Sequence, residues 1–233
     1  MAISAVQTAD TRLLKAVSVT QAAEKIPDGA VLMIGGFMGV GSPHRLIAEL
    51  VRLGRKNLTV ICNDTSRPDN GIGLLIVARA VKKVIASHIG TNPETGKQMI
   101  AGELEVQLVP QGTLAEQVRA GGYGLGGVIT PTGLGTPVEQ GKQRITIDGR
   151  DFLVEKPIKA DFALIAAKRA DYRGNLEYEM TARNFNPLMA MAAETVICEP
   201  VEIVPTGVIP PDHVVTPHVL VDYLIQRDRK NGR

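Results

Sequence analysis

The chain has no tryptophan and only four phenylalanines and four tyrosines in 233 residues, so it offers few flat rings on which nucleic-acid bases could stack. It also lacks a surplus of one charge: 26 Lys and Arg stand against 24 Asp and Glu, a formal net of +2. Without a basic field, general electrostatic binding of nucleic acid is not expected. Cysteine is scarce. Cys62 and Cys198 lie far apart, each inside an apolar run, which fits two buried reduced thiols better than a disulfide framework. The longest apolar stretch is broken by glycines and falls far short of the ~20 residues a membrane span needs, so no membrane partner is expected. Asp10 precedes the first basic residue, so neither a secretory n-region nor a transit peptide is read, and the expected compartment is the cytoplasm. Internal repeats and low-complexity blocks are missing too. The one charge run, residues 227–233, reads as a solvated end.

Glycine, by contrast, is plentiful at 24 residues, and five of them crowd the stretch PDGAVLMIGGFMGVGSPHRL, residues 27–46. Ala30 to Ile34 is an apolar run between the turn pair Asp28-Gly29 and the pair Gly35-Gly36, the pattern of a strand covered on both faces. Gly35, Gly36, Gly39 and Gly41 then leave the backbone bare enough to turn sharply or to let another molecule touch its amides. Ser42 reads as an N-cap and Pro43 as the first helical residue, with Leu46, Ile47, Leu50 and Leu53 at helical spacing and Gly54 as the stop. The amides of such a helix start would make an anion site beside the loop. The loop is neither common phosphate loop: Gly41 is followed by Ser42-Pro43 where a P-loop needs Lys and then Ser or Thr, and the dinucleotide spacing is missed. A formal G-x-G-x-x-G at Gly122, Gly124 and Gly127 follows a predicted helix instead of a strand and is read as a chance match.

Around this stretch, strands and helices alternate. Residues 1–16 read as a lead-in and Ser18 to Lys25 as a short helix. Strands are expected over 58–62, 83–87 and 104–109, with a short helix over 71–80. Thr113 and Glu116 read as the capping box of a helix that Gly121-Gly122 close. Residues 144–155 place Asp148-Gly149 between two β-like runs, a hairpin signal. The rhythm resumes with a strand over 162–167, a loop through Gly174-Asn175, a helix begun by Asn186-Pro187, a strand over 195–198, and a proline-rich tail before a last segment over 219–225. The expected fold is α/β: one domain, 1–233, with a single open, mostly parallel sheet, helices on both faces, and a β-hairpin excursion near 144–155.

In such a sheet, ligands sit outside the carboxyl ends of the strands. Four polar or glycine-rich strings fall there: 35–41, Asn63-Asp64, 88–92 and Gln111-Gly112. Each has a plainer reading, as close packing for the loop and as turn residues for Asn63 and Gln111. His44 and His88 have no second ligand at a suitable spacing, so no metal site is expected. Asp64 and Asp69 flank Arg67 and read as solvated charges, while Arg183 reads as half of a structural ion pair.

The string from Asp28-Gly29 through Gly35-Gly36-Phe37 and Gly41 to Pro43 resembles the first signature of the class I coenzyme A transferases. The resemblance continues through CNDTS (62–66), SHIGTNPETG (87–96), AGELEVQLVPQGTLAEQ (101–117), TPTGLGT (130–136) and ARNFNP (182–187), and is to the alpha subunits of short-chain acyl:acetoacetate or acetate CoA-transferases. It implies that Gly35, Gly36, Phe37, Met38, Gly39, Val40 and Gly41 contact coenzyme A, which is a substrate and not a permanently bound cofactor. It further implies that Gln111 lies beside the reacting acyl group as an oxyanion donor and that Asn63 lines the substrate pocket. In this family a glutamate attacks the acyl-CoA, passes through a mixed anhydride and then holds coenzyme A as a thioester. In two-subunit members the glutamate belongs to the beta subunit, and this chain has no glutamate in the matching E-N-G context, so a beta-subunit partner in an α2β2 assembly is implied. The alternatives are a sugar-phosphate isomerase-like or regulatory ligand-binding protein of the same fold neighbourhood, which would need its own acid and base, and a non-catalytic nucleotide-binding or assembly module.

Overall fold

A computed structural model of the chain describes residues 15–226. Its elements run β1 (Ala16–Val17), α1 (Val19–Glu24), β2 (Val31–Ile34), α2 (His44–Arg52), β3 (Leu58–Asp64), α3 (Gly73–Val77), β4 (Val81–His88), α4 (Pro93–Ile100), β5 (Glu105–Leu108), α5 (Gln111–Tyr123), β6 (Val128–Thr130), β7 (Arg144–Ile147), β8 (Arg150–Glu155), β9 (Ala160–Asp171), β10 (Leu176–Glu177), α6 (Asn186–Met189), β11 (Ala193–Val204) and β12 (Tyr223–Ile225). The charge run 227–233, expected as a solvated end, and most of the lead-in fall outside the described residues.

The main sheet has nine strands in the order β1-β12-β11-β9-β2-β3-β4-β5, all parallel along that path, with β10 antiparallel to β9. The period of two along each strand divides the core. Leu32, Ile34, Val60, Cys62, Val84 and Leu164 join one buried cluster with Leu46, Ile47 and Leu50 of α2 and Leu75 and Ile76 of α3. Met33, Ile61, Ala163, Ile165 and Val196 face the opposite way and pack with Leu114 and Val118 of α5 and Met189 of α6. Two apolar faces need two helical layers, so the expected mostly parallel sheet with helices on both sides is what forms. α1 joins α2 through Glu49, whose carboxylate accepts from Thr20 Oγ1 at 2.5 Å and from Arg52 at 2.7 Å. Those bonds hold its pKa down at about 2.

The expected hairpin is present as β7 and β8, but it is more than an excursion. β6 pairs with the other edge of β8, and the three strands form a separate antiparallel sheet. That sheet is tied to α5 by Glu155, which is 2 % exposed and accepts from Gln117 Nε2 at 3.0 Å and from Lys142 Nζ at 2.6 Å.

From β2 the chain steps outward through β3, β4 and β5, then returns to place β9 on the other side of β2. The order of strands reverses at the β2/β9 pair, so a crevice opens at its carboxyl end. The loop 35–41 starts there.

Candidate active site

Loop 35–41 leaves β2 with Gly35 N donating to Leu164 O of β9 at 3.0 Å. Phe37 and Val40 then exchange two backbone hydrogen bonds of 3.0 and 2.9 Å, making a tight tip with Met38 at φ 51° and Gly39 at φ 86°. Phe37 is 47 % exposed and Val40 50 %, so the tip presents two apolar side chains to its surroundings. Behind the tip, side chains from distant segments hold the backbone. Asn184 Oδ1 accepts from Gly36 N at 3.1 Å, Asn184 Nδ2 donates to Val40 O at 3.0 Å, and Asn186 Nδ2 donates to Gly41 O at 3.0 Å. Asn186 is fully buried and also accepts from Ala166 N of β9. An added Cβ at Gly35 would stand 1.9 Å from Asn186 Oδ1, and one at Gly39 would stand 2.2 Å from Asn70 Nδ2. Close packing by polar side chains therefore explains these glycines whether or not a ligand touches the loop.

Several local expectations are corrected. Ser42 does not cap α2: its hydroxyl donates to Gly35 O at 3.0 Å, and Pro43 occupies the cap position. The first-turn amides are not free for an anion either, because the Glu199 carboxylate of β11 accepts from Arg45 N at 3.2 Å and Leu46 N at 2.9 Å. The negative end the helix dipole favours is thus supplied from within the chain. At α5, the helix begins at Gln111, two residues before the expected cap. Pro110, at φ −52° and ψ 134°, sets the entry; Thr113 is buried inside the first turn, and the helix runs on through Gly121 and Gly122 to a left-handed Gly124. Gly121 is used for close approach, since a Cβ there would lie 2.0 Å from Ile158 O.

Asp64 is a further correction. It is 3 % exposed instead of solvated, and its carboxylate accepts from Met38 N of the loop tip at 2.9 Å, from Ser66 N at 2.7 Å and from Asn63 Nδ2 at 2.7 Å. Asn63, 2 % exposed, uses its Oδ1 to accept from Gln111 Nε2 at 2.6 Å. Asn63 and Gln111, separate candidates in the sequence, are thus joined to each other and to the glycine loop by one chain of hydrogen bonds. The string 88–92 braces the same turn: Thr91 Oγ1 donates to Ser66 O at 3.0 Å and Asn92 Nδ2 to Thr65 O at 3.0 Å. Arg183 pairs with no carboxylate among the described residues and lines a cleft of about 740 Å³ with Arg119, Tyr123 and Leu220. A second cleft of about 420 Å³ opens on the loop side, lined by Gly41, Ser42, Arg45, Tyr178 and Ala182.

The rim offers neutral amide donors but little to attack with. Burial pushes the thiols of Cys62 and Cys198 well above their ordinary pKa, so neither is a thiolate near neutral pH. Glu49, Glu155 and Glu199 are each engaged by hydrogen-bond donors away from Gln111. Among the described residues, no three His, Cys, Asp or Glu side chains gather as metal ligands, and no helix is long and apolar enough to cross a membrane. The sequence had signals for what was missed: the Asn-x-Asn pair at 184 and 186 inside ARNFNP, and Asp64 directly after Asn63.

Comparison with known proteins defines the class. The family model described as Coenzyme A transferase matches residues 16–227, and the chain belongs to that family. The chain is 59 % identical over 198 residues to the acetate CoA-transferase subunit alpha of Escherichia coli K12, covering 85 % of this chain and 90 % of that one. It is 53 % identical to the acetoacetyl-CoA:acetate/butyrate CoA transferase alpha subunit of Clostridium acetobutylicum over 85 % of this chain and 91 % of that one. Within the family the chain is of the alpha-subunit kind, as the motifs implied. Its fold is that of a solved acyl-CoA transferase from Escherichia coli O157:H7 in thioester complex with CoA, at TM-score 0.82 and 23 % identity over 95 % of this chain. This chain spans only 49 % of that one. Glutaconate coenzyme A-transferase from Acidaminococcus fermentans has the same fold, at TM-score 0.80 and 20 % identity, over 91 % of this chain and 75 % of that one. The isomerase and regulatory readings gain no support from these relatives.

Proposed function

We propose that this CoA-transferase subunit works with a beta subunit, as α2β2 in the cytoplasm, to move coenzyme A between a short-chain acyl-CoA and an acid such as acetate or acetoacetate. In this reading the beta subunit supplies the glutamate. Its carboxylate attacks the acyl carbonyl and expels the CoA thiolate; the thiolate then attacks the resulting anhydride at the glutamyl carbonyl, releasing the first acid and leaving an enzyme–CoA thioester. The alpha chain supplies loop 35–41 for coenzyme A, Asn63 at the pocket wall, and Gln111 to donate to the oxyanion.

The observation that carries this reading is the pinning of the Gln111 amide. One Nε2 hydrogen is committed to Asn63 at 2.6 Å, and the second remains to be donated on an exposed rim beside the loop. A neutral amide stabilises developing negative charge without titrating or competing as a nucleophile. The test uses the assembled complex. Gln111→Ala should lower kcat by about 10²- to 10³-fold with assembly intact, and Gln111→Glu should do at least as much harm by facing an anion toward the developing charge. Trapping of the enzyme–CoA thioester gives a second readout. Wild-type turnover in both variants would reduce Gln111 to a helix-start residue.

A further inference from the structure

We infer that Asp64 is a positioning residue: it sets which end of the Gln111 amide meets the substrate and couples that amide to the tip of the glycine loop. The inference rests on the reading of Gln111 as an oxyanion donor and adds the group that makes it one.

The argument is one of donor and acceptor polarity. An amide side chain can present either its oxygen or its NH2 to a neighbour, so an isolated Gln111 has no preference for the donating end. Asp64 removes that choice in two steps. Its carboxylate is already read as an acceptor by two backbone N–H groups that can only donate, Met38 N at 2.9 Å and Ser66 N at 2.7 Å. Asn63 must therefore turn its Nδ2 toward Asp64, at 2.7 Å, which leaves its Oδ1 facing the other way. That oxygen accepts from Gln111 Nε2 at 2.6 Å, while the single Ser87 Oγ proton goes to the Asn63 main-chain oxygen at 2.7 Å, so Gln111 is held by its nitrogen end. Asp64 and Asn63 are 3 % and 2 % exposed, so no water competes freely for these bonds and the order of donors is fixed. The same carboxylate holds Met38, whose φ of 51° needs an outside partner, so a shift of the loop tip moves the carboxylate that orients Asn63.

Asp64 reaches the rim by two routes, through Asn63 to Gln111 and through Met38 N to the loop tip, and the test has to separate them. Asp64→Asn keeps the shape but has one acceptor oxygen: an oxygen kept on Ser66 N turns the NH2 to Asn63, which lets both amides reverse and at the same time releases Met38 N, because Met38 N and Asn63 Nδ2 share the Asp64 Oδ2. In the assembled enzyme, kcat should fall about tenfold through Gln111, while the release of Met38 N at the loop tip falls on KM for the acyl-CoA. The decisive measurement is the cycle with Gln111→Ala: once Gln111 is gone, Asp64→Asn should cost nothing more in kcat. A structural role would lower stability and activity equally in both backgrounds. Should Asp64→Asn fail to assemble, Asn63→Ala breaks the middle link and leaves the Asp64 backbone contacts in place; it must show the same loss of additivity with Gln111→Ala. If Gln111→Ala itself keeps wild-type turnover, the oxyanion reading falls and this inference with it. If Gln111→Ala is impaired but the second substitution multiplies in full, or leaves kcat untouched on its own, the positioning role is overturned and the reading of Gln111 stands.

Discussion

Two turns in this molecule use glycine in opposite ways. The turn between β7 and β8 is local: Asp148 at φ 50° and Gly149 at φ 74° both take the left-handed conformation that matches the twist of a two-residue hairpin, and nothing lies within 4 Å of a Cβ added at Gly149. Loop 35–41 is held from outside. Its backbone groups bond to Asp64, Asn184, Asn186 and β9, and the space a Cβ of Gly35 would need is occupied by a fully buried amide. One turn has its shape from two residues; the other has its shape from residues up to 148 positions away. The loop at the reversal point of the sheet is thereby tied by hydrogen bonds to the core that carries it, although it is rich in the residue most often linked with freedom.

The sharpest way to break this contrast is Gly35→Ala. The new methyl would overlap Asn186, which cannot retreat without leaving Gly41 O and Ala166 N unpaired in the interior. Overpacking together with unsatisfied backbone groups should remove about 3 kcal/mol of stability, read by urea unfolding, and abolish activity in the complex. A loss under about 1 kcal/mol would mean that the Asn186 packing does not define the loop.

A second substitution separates packing from ligand contact, which no glycine replacement can do while Asn70 and Asn186 crowd the loop. Phe37 is half exposed at the tip and belongs to neither buried apolar cluster. Phe37→Ala should leave the unfolding midpoint nearly unchanged, yet raise the KM for the acyl-CoA by about five- to tenfold if the tip lies against coenzyme A. Unchanged KM in the assembled variant would return the loop to a purely structural part.

The same contrast decides what could be read from the chain before folding. The Asp148-Gly149 hairpin is legible because its cause is contained in two adjacent residues. The parallel sheet is legible because apolar runs recur between turn signals. α4 gives no apolar stripe, because the face it buries is polar: Thr95 Oγ1 donates to Thr65 Oγ1 and Gln98 Nε2 to Ile76 O, and Asn92 before Pro93 was the only start signal. β1 is two residues paired with β12 at the far end of the sequence, a contact with no local mark. At the site, Gln111, Asn63 and the loop are each visible as motif residues. Their linkage through Asp64 is not, since a carboxylate after a strand looks the same whether it meets water or a backbone amide 26 residues away.

The smallest effect is expected at the other pole of the comparison. Gly149→Ala asks only that an alanine take φ 74°, with no atom in its way, so the cost is left-handed backbone strain of about 1 kcal/mol. The small sheet is joined to α5 through Glu155 at the far end of β8 from this turn, so a disturbance at 149 has no direct contact through which to reach Gln111. Kinetic constants of the complex should therefore match wild type, while chemical unfolding reports the small loss. A penalty near that of Gly35→Ala would show that the hairpin is held by more than its own two residues. A change in kcat or subunit assembly at unchanged stability would instead mean that the turn, open in the isolated chain, is covered in the complex by the partner.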